Sequence, residues 1–359
     1  HLPSSPNANG AKTSISSLWD TGTKNQEEPD PLEDMTDDRK ANLFQFLLRD
    51  LEVEEVPLLG VDATETHIFQ AALWTTMAEL SESDLEDKVC LVFESIPVPT
   101  LKTFVEAFDG WKSNSKMMES VPELKRFNVT LVGKGVGPAM VVSTSNRTDS
   151  EASAYDSMKQ SAPVPDEIRW NAAMKTFVAR TSSSNFDTAV YRIVRSTDAC
   201  DIMSGYWTSI CELLSVPEDQ MSPVVLTYPP VKEGLEKEQH DRFAAIAQLM
   251  GHLLSMCSDS KEVVSNLYIQ PFYDRDESGD NASDGHLAPS SSDSGKSDEA
   301  LRLENYVRRS PLPGVIIQRA GGSDQYKAAE SLSSQTEEEL KEALNKELDI
   351  IALSTPEFQ

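Results

Sequence analysis

Apolar residues along this chain fall on helical and strand rhythms, and the same succession of rhythms occurs twice, over about 41–145 and again over about 167–320. Leu101, Phe104, Val105 and Phe108 keep the i, i+3, i+4, i+7 spacing of one helix face, and Phe243, Ile246, Ala247 and Met250 keep it in the second stretch. Short apolar runs read as strands. Leu91-Val92-Phe93 is answered by Leu226-Thr227-Tyr228, the run from Asn128 to Val132 by that from Asn266 to Gln270, and Pro138 to Val142 by Pro313 to Ile317. Trp74, Thr75 and Glu79 pin the register against Trp207, Thr208 and Glu212, at a constant separation (207 − 74 = 133).

Each copy therefore reads helix, strand, helix, strand, helix, strand, strand. The opening helices are expected near 38–51, with Leu43, Phe44, Leu47, Leu48 and Leu51 on one stripe, and near 166–180, with Trp170, Met174, Phe177 and Val178. Alternating strands and helices of this length predict an α/β, sandwich-like fold: two homologous pseudo-repeat domains, each a small sheet covered by helices. The expected boundaries are 38–148 and 165–322, joined by a linker at 149–164. Two copies are fewer than a stacked solenoid needs. Residues 1–37 and an acidic, serine-rich insert at 274–300 have the composition of disordered segments.

The last segment, 323–359, reads as a hydrophilic connector followed by one helix and a tail. Thr336 and Glu339 form a capping box, and Leu340, Leu344, Leu348 and Ile351 mark one face of the helix they open. A helix this short is marginal alone, so its apolar stripe needs a surface, in its own chain or in a neighbour. Phe358 in the tail adds an aromatic to that contact set.

Composition adds limits. With 39% hydrophobic residues the chain can bury real cores, and no run reaches the ~18 apolar residues of a membrane helix. A net charge of −27 repels nucleic-acid phosphates and anionic lipid surfaces. The partners it favours are basic patches or apolar grooves. Cys90, Cys200, Cys211 and Cys257 form no CxxC pair, which favours a reducing compartment. The triplets opening at Asn128, Asn146 and Asn281 match a glycosylation acceptor, but the first is expected inside a core strand.

Catalytic patterns are absent from the sequence. His1, His67, His240, His252 and His286 lack metal-ligand spacing. The stretch from Gly133 to Pro138 has closely spaced glycines but is followed by a strand, so it reads as a turn and not as a phosphate cradle. No G-x-S-x-G elbow occurs, and Trp74 and Trp207 read as core anchors. No catalytic residue, cofactor or metal is expected.

Two resemblances follow. The second copy resembles a bacterial domain family of unknown function, through Trp170 on the opening helix, Leu226-Thr227-Tyr228-Pro229, and Arg309-Ser310-Pro311-Leu312-Pro313 in place of its Asn-Arg-Ser-Pro-x-Pro ending. Where that family carries a Cys-Pro pair and two His-Pro strand ends, this chain has Ser182 to Asn185, Tyr228-Pro229 and Gln270-Pro271. As a whole, an acidic chain with two diverged α/β copies, an acidic insert and a terminal helix resembles the diatom pyrenoid shell proteins.

The second resemblance implies a structural protein without enzymatic activity. It would assemble with itself into a sheet around the Rubisco-containing pyrenoid, in the chloroplast stroma, and support CO2 concentration and carbon fixation. Implied partners are other copies, and Rubisco or other pyrenoid proteins; nucleic acid and membrane insertion are not expected. The assembly contact is expected at Leu340, Leu344, Leu348, Ile351 and Phe358. The alternatives are a small-molecule enzyme or binding protein using a vestigial cleft at Tyr228, Arg309 and Ser310, and an acidic monomeric scaffold.

Overall fold

In the computed structural model the described residues are 57–61, 63–82, 87–93, 95–132, 138–145, 166–181, 188–217, 222–230, 236–257, 267–272, 310–319 and 337–352. The opening helix expected at 38–51, the arm, the linker, the acidic insert and the glycines from Gly133 to Gly137 lie outside them.

Among the described residues the chain is mixed α/β with two four-stranded sheets. The first half carries β1 (Leu58–Val61), α1 (Thr66–Glu82), β2 (Lys88–Phe93), α2 (Val98–Lys112), α3 (Ser115–Ser120), a 3-10 turn (Pro122–Arg126), β3 (Phe127–Leu131) and β4 (Ala139–Thr144). The second carries α4 (Glu167–Thr181), β5 (Val190–Ile193), α5 (Ala199–Ser215), β6 (Val224–Thr227), α6 (Glu236–Met256), β7 (Leu267–Phe272) and β8 (Gly314–Arg319); α7 (Glu337–Ala352) follows.

The sheet orders are β1-β2-β4-β3 and β5-β6-β8-β7. In both, the first pair is parallel and the other two antiparallel. The ladders agree residue by residue. Val92 faces Ala139 as Thr227 faces Gly314, and Phe93 N–H donates to Pro138 O (2.8 Å) as Tyr228 N–H donates to Pro313 O (3.2 Å). One alignment needs correction: Asn128 faces Ser143, but on β8 the corresponding residue Gln318 faces Tyr268, not Asn266. The slip is two residues, the strand period, so the same faces stay paired and the apolar pattern cannot reveal it.

Local chemistry sets the element starts. Asp198 caps α5 by accepting from Cys200 N–H (2.8 Å), Asn114 caps α3 through Met117 N–H (3.2 Å), and Asp166 accepts from Arg169 N–H at the start of α4 (3.3 Å). Proline at the entry to α2 supplies helical φ where no N–H is needed. β3 is an edge strand with Phe127 and Val129 inward and Asn128 and Thr130 exposed, so Asn128 is not in a core strand as expected. Its side chain accepts from Lys112 Nζ (2.8 Å), which also binds Phe127 O.

One apolar core runs from the first sheet through α1 and α5 to the second. α1 packs on β2 and β4, α5 on β6 and β8, and the two helices pack on each other. Being enclosed on all sides, α1 is buried nearly throughout, as a helix between two layers must be. Trp74 and Trp207 are fully buried. Trp74 Nε1–H donates to Gln70 Oε1 (3.2 Å), but one turn before Trp207 stands Met203, and the Trp207 indole N–H finds no acceptor among the described residues. The other face of the second sheet presents Val225 and Ile316 to Trp170, Met174, Phe177 and Val178 of α4.

The glycines give a stability test. A Cβ on Gly205 would lie 2.7 Å from Val194 Cγ2 and 3.7 Å from Leu226 Cδ1, so Gly205→Ala is expected to lose about 1–3 kcal/mol. Gly110 and Gly251 face open space within their helices, and Gly110→Ala and Gly251→Ala are expected to gain about 0.5–1 kcal/mol each. Urea midpoints of the three variants check both signs.

Candidate functional site

Two of the three expected cleft residues are enclosed. Tyr228 follows β6 and is buried, and Ser310 is fully buried, with its hydroxyl donating to Met174 Sδ (3.6 Å) and accepting from Leu312 N–H (3.4 Å). Arg309 and Ser182 to Asn185 lie outside the described residues. The terminal helix packs on α4 of its own chain. Ile351 is half-buried against the cluster around Trp170, Met174 and Leu312, whereas Leu348 is 37% exposed. Leu340 and Leu344 lie on α7 with side chains outside the description, as is Phe358. Glu347 shares this helix and is fully buried, an acid within a stripe expected to be apolar.

The most concentrated polar chemistry lies elsewhere, on the seam between the halves. Glu123 of the 3-10 turn pairs with Arg242 of α6, and its carboxylate also accepts from Ala199 N–H (2.7 Å) at the start of α5. Arg242 donates further to Thr197 O and to Ser120 O (2.9 Å). Arg126 pairs with Asp198, the cap of α5, and Ser81 Oγ of α1 donates to the same carboxylate oxygen (3.1 Å). Each half thus contributes one cation and one anion, and the side chains of Glu123 and Asp198 are each 1% exposed. Burial disfavours the charged form of Arg242, but the adjacent Glu123 carboxylate, with Asp198 and Tyr228 nearby, outweighs this and raises the guanidinium above its ordinary value.

A charge-balanced, hydrogen-bonded cluster of this kind fixes geometry; both carboxylates are engaged as acceptors, which suits a brace better than a proton shuttle. Nearby, Trp111 Nε1–H donates to His252 Nδ1 (2.9 Å) across the same seam. Sequence reading missed the cluster. Its signal was present, because Arg242 stands beside Phe243 on the apolar stripe of α6, and Glu123 follows Met117, Met118 and Val121 in a buried run.

Among the described residues no group of three His, Cys, Asp or Glu side chains is placed to hold a metal ion, and no helix is long and apolar enough to cross a membrane. The four cysteines are free thiols, three of them fully buried. Burial pushes Cys90 and Cys211 up to about 12, and raises Cys200 and Tyr206 as well. No family model, no curated protein and no solved structure matches this chain.

Two outcomes follow from the seam and the thiols. Arg242→Met leaves Glu123 buried without its cation and is expected to cost about 3–5 kcal/mol, with a Glu123→Gln/Arg242→Met double variant losing less than the sum of its singles in urea titrations. The thiols are neutral when protonated, and their folded values lie above the ordinary 9.0. Above that value the unfolded chain has lost protons that the folded chain keeps, so stability is whole below about pH 8.5 and falls as pH rises toward 12. Urea midpoints between about pH 8 and pH 11 read this slope.

Proposed function

We propose that this chain is a structural protein built from two diverged copies of one α/β unit, and that it assembles with itself into a protein sheet enclosing the Rubisco-containing pyrenoid of a plastid. Its place is the chloroplast stroma at the pyrenoid periphery, where a closed protein layer confines CO2 near the carbon-fixing enzyme. No catalytic step is assigned to it.

The observation that carries this reading is the pair of sheets with one strand order and matching central ladders, braced through a common core into one body. A body with related but unequal faces at its two ends can meet a second copy head to tail. Such contacts need not close, and where they do not they propagate into filaments or sheets. Support also comes from the resemblance in composition and order of segments, and from the burial of Tyr228 and Ser310 where a ligand cleft would have to open. The terminal helix supplies the contact: Leu348 stands exposed on α7, and Leu340, Leu344, Ile351 and Phe358 complete the set assigned to it.

Negative-stain electron microscopy of the full chain over a range of salt and protein concentrations is expected to show ordered sheets or tubes. A chain ending at Ser334, and a full-length Leu348→Asp variant, are expected to remain discrete particles. Discrete monomers or dimers from the unaltered chain under every condition overturn the shell reading.

A further inference from the structure

The ion pairs on the seam join unlike halves in a reciprocal pattern. The first half presents Glu123 and Arg126, and the second presents Arg242 and Asp198. In a chain of two related units, the competing arrangement pairs like with like across two copies. The aligned positions disfavour it. On the apolar stripe that aligns Leu101 with Phe243, Arg242 corresponds to Thr100, and on the run that aligns Trp74 with Trp207, Asp198 corresponds to Glu65.

Two first halves facing each other would leave Arg126 an acid to meet, Glu65, but would set Glu123 against Thr100, burying a carboxylate with no cation to meet it. In a pairing of two second halves, neither Glu123 nor Arg126 is present to meet Arg242 and Asp198. The apolar part of the seam, by contrast, is built from similar helices, α1 and α5, and discriminates weakly. Specificity between such surfaces comes from the charges that a wrong partner leaves unmatched.

We propose that this seam is a charge-coded interface whose only fitting partner for a first half is a second half, so that when two copies exchange halves they do so first to second and never like to like. The seam's second possible occupant is thus another copy of this chain. Between Ser145 and Asp166 the chain runs through residues 146–165, and a segment of that length spans at most about 70 Å, enough for the halves to part and pair with those of a neighbour. The inference rests on reading the halves as diverged copies, but not on the formation of a shell.

Two full-length variants test it. Glu123→Arg sets two cations against each other within one chain, and Arg242→Glu sets two anions. The first half of the Arg242→Glu chain still carries Glu123, and the second half of the Glu123→Arg chain still carries Arg242, so exchange between the two recreates the native contact. Each variant is refolded alone and the pair is refolded together, and mass is read by native mass spectrometry and by light scattering after gel filtration. The mixture is expected to give a one-to-one heterodimer, exceeding either same-variant dimer by on the order of a hundredfold. Should each variant alone precipitate, rescue of soluble heterodimer by co-refolding supports the proposal in the same way. A mixture that behaves as the sum of its two components, or that yields like-with-like dimers in equal amount, overturns it. Either result leaves the microscopy of the unaltered chain as a separate test of the shell.

Discussion

Two buried ion pairs set in opposite senses across one seam are the constraint on which the rest of this structure depends. Moving Glu123, Asp198, Arg126 and Arg242 out of water costs several kcal/mol per ion, and this is offset only where each finds its partner and its remaining hydrogen bonds. The geometry draws on backbone as well. The Ala199 N–H, the Thr197 and Ser120 carbonyls and the Ser81 hydroxyl all converge there. Because those groups open or end α5, α1 and α3, satisfying the charges also fixes how the helices meet. Burial of α1 between two sheets follows from the same arrangement, and its Thr75 hydroxyl shares a hydrogen bond with Ser204 of α5 (2.8 Å).

A brace of this kind joins the two halves through one core, which suits a protein proposed to assemble into a sheet. The two halves differ in their buried polar groups. Gln70 supplies an acceptor to Trp74 while Met203 cannot do the same for Trp207, and Arg242 answers to Thr100, although Asp198 answers to another acid, Glu65. Unequal halves have unequal outer faces, and inequality is what lets contacts between copies run on without closing. The terminal helix is placed against α4 within its own chain, where Ile351 meets the second core cluster, so any use of it between copies has to draw on its outward face or on its release.

Much of this was legible in the sequence, for a physical reason. Helices and strands announce themselves through periods of 3.6 and 2, so α2, α4, α6 and the strands β2, β3, β4, β6 and β8 stand where the apolar spacing puts them. The repeated order of those periods implied two like sheets, and the large apolar volumes of Trp74 and Trp207 marked the core. Only the tertiary structure decided the rest. A two-residue slip of β7 leaves the pattern unchanged, so hydrogen-bond ladders alone settle it. An edge strand and a central strand share one period, and only its neighbours placed Asn128 on the rim. The charges on the seam lie far apart in sequence; Arg242 stands on an apolar stripe and Glu123 in an apolar run, but neither pattern says which partner it meets. Periodicity reports what a residue does with its neighbours along the chain; pairing across the chain depends on distance in space, which only the folded structure supplies.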